Sequence, residues 1–180
     1  MSNYRRANIS GGCYFFTLVT YRRQRFLIDE PARQILRESI IKTRQIYPFA
    51  INAWVLLPDH LHCIWTLPEN DNNFSIRWNL IKKHFSQKAK PLYHRDEWLN
   101  PSKIKHRETT IWQRRFWEHT IRNDDDYAKH MDYIHYNPVK HGYVTRVADW
   151  CFSSFHRYVA CGVYALDWGG DKRTLHLDFE

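Results

Sequence analysis

His60 and His62 stand one residue apart in Pro58-Asp59-His60-Leu61-His62-Cys63-Ile64-Trp65, at the head of an apolar run. In an extended strand residues i and i+2 share a face, so both imidazoles project together while Leu61 points the other way. Two charged rings side by side repel, and two buried neutral rings still need partners for their nitrogens. A divalent metal ion answers both requirements, because neutral imidazole is a good ligand. Two hydrogen-bonded histidines at a hairpin turn would answer them as well. A second constellation lies in Asp132-Tyr133-Ile134-His135-Tyr136-Asn137-Pro138. Tyr133 and Asn137 are i and i+4 on a predicted helix and share one face. The residue before a proline is biased away from helix, which puts Asn137 in the last turn. A tyrosine hydroxyl beside an amide oxygen offers a nucleophile and a third metal ligand; a packed Tyr and a capping Asn is the alternative. Tyr127 and Tyr136 lie in the same stretch, and Tyr133 is favoured because it has Asn137 one turn ahead.

The basic positions interleave with aromatics. Arg5 and Arg6 follow Tyr4; Arg22, Arg23 and Arg25 follow Tyr21; Arg114 and Arg115 lie between Trp112 and Trp117. Lys82 and Lys83 add charge to a predicted helix. The 27 Lys and Arg against 19 Asp and Glu leave a net charge of +8, which points to a polyanionic partner unless it is simply a solvated basic face. Arginine pairs with phosphates and reads guanine edges, and aromatics stack on unpaired bases, a mixture suited to single-stranded or hairpin nucleic acid. A membrane is not expected: there is no run of 18 apolar residues and no signal-like start. The four cysteines show no Cys-x-x-Cys spacing, so a reducing, cytoplasmic setting is expected and no thiolate zinc site is indicated.

Positioning these groups requires a sheet. Cys13–Thr20 reads as a strand after paired glycines. Residues 29–48 read as a helix with Ile35, Leu36, Ile40, Ile41 and Ile46 near helical spacing, and 49–57 and 61–67 as a hairpin about Pro58-Asp59. Phe74, Trp78, Ile81 and Phe85 mark one face of a second helix that should stop near Pro91. Residues 91–110 read as a loop, 111–123 as the region of a fourth strand, and 124–137 as a helix ending at Pro138. The order matches a split βαβ, ferredoxin-like or RNA-recognition-motif-like α+β fold: an antiparallel sheet with helices on one face, plus a C-terminal helix carrying the tyrosine. The expected organisation is a catalytic domain over residues 1–146 and an aromatic tail, 147–180, packed on it.

Three ordered blocks resemble the single-tyrosine HUH transposases (His, hydrophobic, His), and among them the REP-associated tyrosine transposases. They are Ala53–Glu69, Trp112–Tyr127 and His130–Val144, supported by GGCYFFTLV near the start and DWCFSSFHRYV near the end. The resemblance implies that His60 and His62 hold Mg2+ or Mn2+, that Asn137 completes the metal site, and that Tyr133 is the nucleophile. It implies DNA nicking and strand transfer through a 5′-phosphotyrosine on single-stranded DNA folded as REP-type palindromic hairpins. A monomer is expected for this branch, although related transposases work as dimers. Phenol ionises near a pKa of about 10, so something must help Tyr133 lose its proton; Lys129, at i−4, is a candidate by charge. Two other functions fit parts of the sequence. A non-cleaving palindrome-binding protein would not need His60, His62, Tyr133 and Asn137 together, and a water-using nuclease would leave Tyr133 structural.

Overall fold

The computed structural model describes residues 9–169. Four strands, β1 (Cys13–Val19), β2 (Ala50–Leu56), β3 (His60–Thr66) and β4 (Trp117–Thr120), form one sheet in the order β2-β3-β1-β4, all neighbours antiparallel. Helices α1 (Glu30–Ile46) and α2 (Phe74–Tyr93) cover one face and α4 (Asp124–Lys140) the other; α3 (Pro101–Lys105) and α5 (Phe155–Ala160) are short. This is the expected split βαβ order. No helix among the described residues is long and apolar enough to cross a membrane.

Alternation along the central strands sorts side chains between the two faces. Tyr14, Phe16 and Leu18 of β1, with Leu61, Cys63 and Trp65 of β3, meet α1 and α2 in the larger core; Trp65 stacks on Trp78 at 3.9 Å between ring centroids. Phe15, Ala53, Val55 and Ile64 meet Met131, Tyr133 and Ile134 of α4 on the opposite face. The α2 stripe is buried as its spacing predicts, joined by Ala89 and by Arg77, whose guanidinium is held by Asp71 at 2.6 Å. On α1 the stripe is narrower: Leu36 and Ile40 are buried, whereas Ile41 and Ile46 are exposed.

Three predicted boundaries move. Helix α2 runs through Pro91 to Tyr93, which stacks on Phe26. Residues 91–110 are not a plain loop: they contain α3, and Gln24 donates to the Thr110 carbonyl (2.6 Å) while the Arg95 N–H donates to its hydroxyl (2.7 Å). The largest change is at α4, which does not end at Pro138. It runs to Lys140 and closes in a Schellman motif at Gly142 (φ +70°), where Gly142 N–H donates to Val139 and Tyr143 N–H to Pro138, as a left-handed residue after the cap requires. At its start the Asn123 side chain caps Asp126 N–H, and Asp124 to Asp126 complement the helix dipole.

The segment from Val147 packs on the β2 edge. Leu56 N–H donates to Phe152 and Ser154 N–H to Trp54, so residues 152–154 pair along the strand that would otherwise be open. A bulge at Asn52 turns its carbonyl outward to accept from Tyr158 Oη at 2.7 Å. Residues 170–180 of the predicted tail lie outside the described residues.

Candidate active site

The two histidines meet α4 on the sheet face opposite α1 and α2. Both are buried, with ring centroids 4.9 Å apart at 81°. Each is oriented by a neighbour. Asp59, in the hairpin turn, accepts from His60 Nδ1 at 2.7 Å and from Arg23 Nη1 at 3.1 Å. Thr17, on the adjacent strand, shares a 2.8 Å hydrogen bond with His62 Nδ1. The Asp59 contact makes Nδ1 of His60 the protonated nitrogen and gives the lone pair to Nε2. Burial alone would raise the Asp59 carboxyl, but His60 and Arg23 together hold it below the usual carboxylate range.

Helix α4 brings the face that carries Tyr133 and Asn137 onto these rings. Tyr133 is 1% exposed, with its ring 5.2 Å from that of His62. Two turns on, the His141 ring lies 5.0 Å from that of His60. Asn137, at i+4 from Tyr133 and i−4 from His141, therefore falls on the same helix face, between contacts to the two histidines. Asn137 is fully buried, and neither its Oδ1 nor its Nδ2 has a hydrogen-bond partner. A buried amide in that condition costs free energy on the order of 1–3 kcal/mol. An oxygen ligand role at a divalent cation gives it a use, and with two imidazoles the donor set suits Mg2+ or, by softness, Mn2+. The residues fit the ion.

The other two tyrosines are placed differently. Tyr127 packs at the β2 end near Tyr158 and Asn52, and burial raises its hydroxyl pKa; Tyr136 is half-buried. Lys129, the candidate helper of Tyr133, instead pairs with Asp125 at 2.5 Å on the exposed side of the helix. The cation over the Tyr133 ring is Lys140, with Nζ 4.9 Å from the centroid. Lys140 and His141 went unnoticed in the sequence because the helix was expected to end at Pro138.

Of the predicted nucleic-acid contacts, Arg23 and Arg115 converge with His60, Thr17 and the exposed Trp117 on a cleft of ≈ 270 Å³. Arg22, in a left-handed backbone conformation (φ 55°), lies over Tyr21 and Trp98. Arg25 lies over Tyr143. Arg114 is engaged by Glu108 at 2.6 Å. Lys82 donates to the Gln113 and Arg114 carbonyls, and burial lowers its pKa to about 8; it ties α2 to the segment that leads into β4. Lys83 is exposed on α2. Arg5 and Arg6 lie outside the described residues. A larger groove of ≈ 760 Å³ near β2, with Arg33, Arg37, Arg44 and Arg157, was not singled out in the sequence and holds no histidine.

With this geometry in place, comparison with known proteins is decisive. Residues 9–137 match the family described as "Transposase IS200 like". The chain is 52% identical to the REP-associated tyrosine transposase of Escherichia coli K12 over 95% of its own length and 93% of the relative's. The chain belongs to the REP-associated tyrosine transposases. A Haemophilus influenzae relative that carries the same designation provisionally is 48% identical, over 95% of each chain. A solved structure described as the REP-associated tyrosine transposase bound to a REP hairpin superposes with a TM-score of 0.79 at 52% identity, covering 95% of this chain and 93% of that one. The fold of this transposase and its family are thereby established.

Proposed function

We propose that this transposase nicks and rejoins single-stranded DNA folded as a REP-type hairpin, by transesterification at Tyr133. The observation that carries the reading is the placement of Tyr133 against His62, with the partnerless buried amide of Asn137 one turn along the same helix face. The solved relative holds a REP hairpin, which supports hairpin DNA as the partner here. The β2 edge covered by residues 152–154 supports action as a monomer.

In the forward step the Tyr133 oxygen attacks a backbone phosphorus. An O–P bond to tyrosine forms as the bond from phosphorus to the 3′-oxygen breaks; the phenolic proton is given up and the departing oxygen takes one. The product is a 5′-phosphotyrosine and a free 3′-hydroxyl, and because the phosphodiester bond is exchanged rather than hydrolysed, a 3′-hydroxyl reverses the step without an energy source. The ammonium of Lys140, over the Tyr133 ring, sets a positive charge beside the attacking group. His60 and His62, through Nε2, and Asn137, through Oδ1, would hold Mg2+ or Mn2+. An ion held there would supply Lewis-acid stabilisation of the charge that develops on the phosphate. Asp59 and Thr17 fix the ring orientations of the two histidines, as outer partners of metal-bound imidazoles do. Arg23 and Arg115 bind the strand's phosphates at the cleft mouth, and Trp117 gives an unpaired base a stacking surface.

The test is a labelled single-stranded hairpin carrying a REP sequence from a genome encoding this chain, incubated with Mn2+ or with EDTA and run on denaturing gels. A metal-dependent covalent protein–DNA adduct, absent from Tyr133→Phe, is expected. Cleavage that survives in Tyr133→Phe without an adduct would mean a water-using nuclease. Tight binding with neither product would leave a non-cleaving palindrome-binding protein.

A further inference from the structure

A second group of ligand-type side chains lies where β4 meets the start of α4. His119 projects from β4, and Asp126 and His130 from the first two turns of α4. One donor atom from each lies within 4.8 Å of one donor atom from each of the others. The Asp126 carboxylate is central: Oδ2 accepts from His119 Nε2 at 2.8 Å and from the Arg122 N–H at 3.0 Å, while Oδ1 lies 3.1 Å from His130 Nδ1. His130 Nδ1 also donates to the Asp126 carbonyl at 2.8 Å. The two imidazoles stack at 4.6 Å and 15°. His130 is buried, whereas His119 and Asp126 keep a quarter to a fifth of their side chains exposed, so an ion has a route in.

We infer that His119, Asp126 and His130 form a second divalent-metal site, separate from the histidine pair of the active site and selective for Zn2+ or a similar borderline transition metal. Two imidazoles and one carboxylate are a common donor set for zinc, with water completing the coordination. Bonds of roughly 2.0–2.2 Å set donors roughly 3–3.5 Å apart, so an ion would replace the hydrogen bonds within the cluster, each coordinating nitrogen passing its proton to the other ring position or to solvent. Burial of His130 lowers its pKa and favours the neutral ring, the form that binds metal. Both groups of histidines lie on the same sheet face. Phe15 separates them, its ring 4.8 Å from His130 and 5.5 Å from His62. The ion would clamp the sheet's edge strand to the helix that carries Tyr133, and so set the position of that helix over His60 and His62. This role does not depend on the cleavage reaction proposed above.

The experiment is calorimetric titration of ZnCl2 into the untagged, metal-stripped full chain as His60→Ala/His62→Ala, and into the same protein with His119→Ala added. One equivalent of Zn2+ is expected in the first, and affinity weaker by tenfold or more in the second. Asp126→Asn should lower it likewise. No Zn2+ binding to His60→Ala/His62→Ala would overturn the inference, as would binding untouched by both His119→Ala and Asp126→Asn, which would place the ion at other side chains such as the exposed Cys151 or Cys161. If the double variant fails to fold, judged by circular dichroism, the otherwise wild-type chain serves: His119→Ala, at a partly exposed position, should remove one of two equivalents. A stoichiometry unchanged by His119→Ala would then refute the site.

Discussion

The two faces of one sheet are built from alternate residues of the same strands, yet they are chemically unlike. Toward α1 and α2, β1 and β3 present Tyr14, Phe16, Leu18, Leu61, Cys63 and Trp65, packed against Phe74, Trp78, Ile81 and Phe85. Toward α4 the same strands present Thr17, His60 and His62, facing Tyr133 and Asn137. The first face removes apolar area from water and supplies most of the stability. The second buries polar groups whose desolvation opposes folding. At the start of β3, Leu61 and Cys63 thus join the apolar core while His60 and His62 turn to the polar side.

The sharpest break between the faces is in activity. Tyr133→Phe removes one oxygen from the polar face and should lower adduct formation and strand joining by about a thousandfold or more, as loss of a covalent nucleophile does. Its thermal midpoint should stay within a few degrees of wild type, about the shift of a 1 kcal/mol change. Trp78→Ala breaks the other face. Loss of a buried indole stacked on Trp65 should cost about 3–5 kcal/mol, read by urea titration, while adduct yield per folded molecule is maintained. A Trp78→Ala protein that keeps its stability but loses cleavage would refute the division of labour.

Asn137→Leu tests the comparison within the polar face. Leucine has similar bulk and no amide to desolvate, so in EDTA the variant should be more stable than wild type by about 1–2 kcal/mol. Its Mn2+ affinity by calorimetry should fall about tenfold or more. A loss of stability in EDTA would mean that the Asn137 amide has a structural partner and is not held for a ligand.

The apolar face was the more legible in the sequence. The stripe Phe74, Trp78, Ile81, Phe85 follows from the helix period, and β1 and β3 from short apolar runs bounded by turn residues, which burial enforces directly. His60, His62, Tyr133 and Asn137 were legible as residue types at meaningful spacing, and their convergence required the antiparallel strand order, which the split βαβ pattern supplied. What escaped was set by local backbone chemistry. Pro138 disfavours helix at Asn137, but packing of α4 on the sheet and the Gly142 cap carry the helix one turn further. That turn delivers Lys140 to Tyr133 and His141 to His60. Lys129, at the i−4 spacing that made it a candidate, points instead to Asp125. The His119–Asp126–His130 group was hidden because its members come from a strand and a helix whose pairing no spacing rule predicts.

The smallest effect concerns how α4 is held to the segment after Val147, on a side of the helix away from Tyr133 and Asn137. His135 is buried, its Nε2 2.9 Å from Ser154 Oγ and its ring beside Phe155, Tyr158 and Tyr164. Burial, and secondarily Arg157, push its pKa down to about 3, whereas in an unfolded chain histidine titrates near about 6.5. Between those values the unfolded chain holds a proton that the folded chain refuses. The stability due to neutral His135 is therefore complete above about pH 6.5 and declines as the pH falls toward 3. One such proton gives a slope of about 1.4 kcal/mol per pH unit once the unfolded imidazole is protonated. His135→Gln keeps a hydrogen-bonding side chain without the titration, so its stability measured by urea between pH 6.5 and 4.5 should fall less steeply by up to that amount. The buried His130, whose pKa is also lowered, leaves a residual slope. An acid limb identical in wild type and His135→Gln would mean that folding does not lower the His135 pKa, and that its contact with Ser154 survives protonation of the ring.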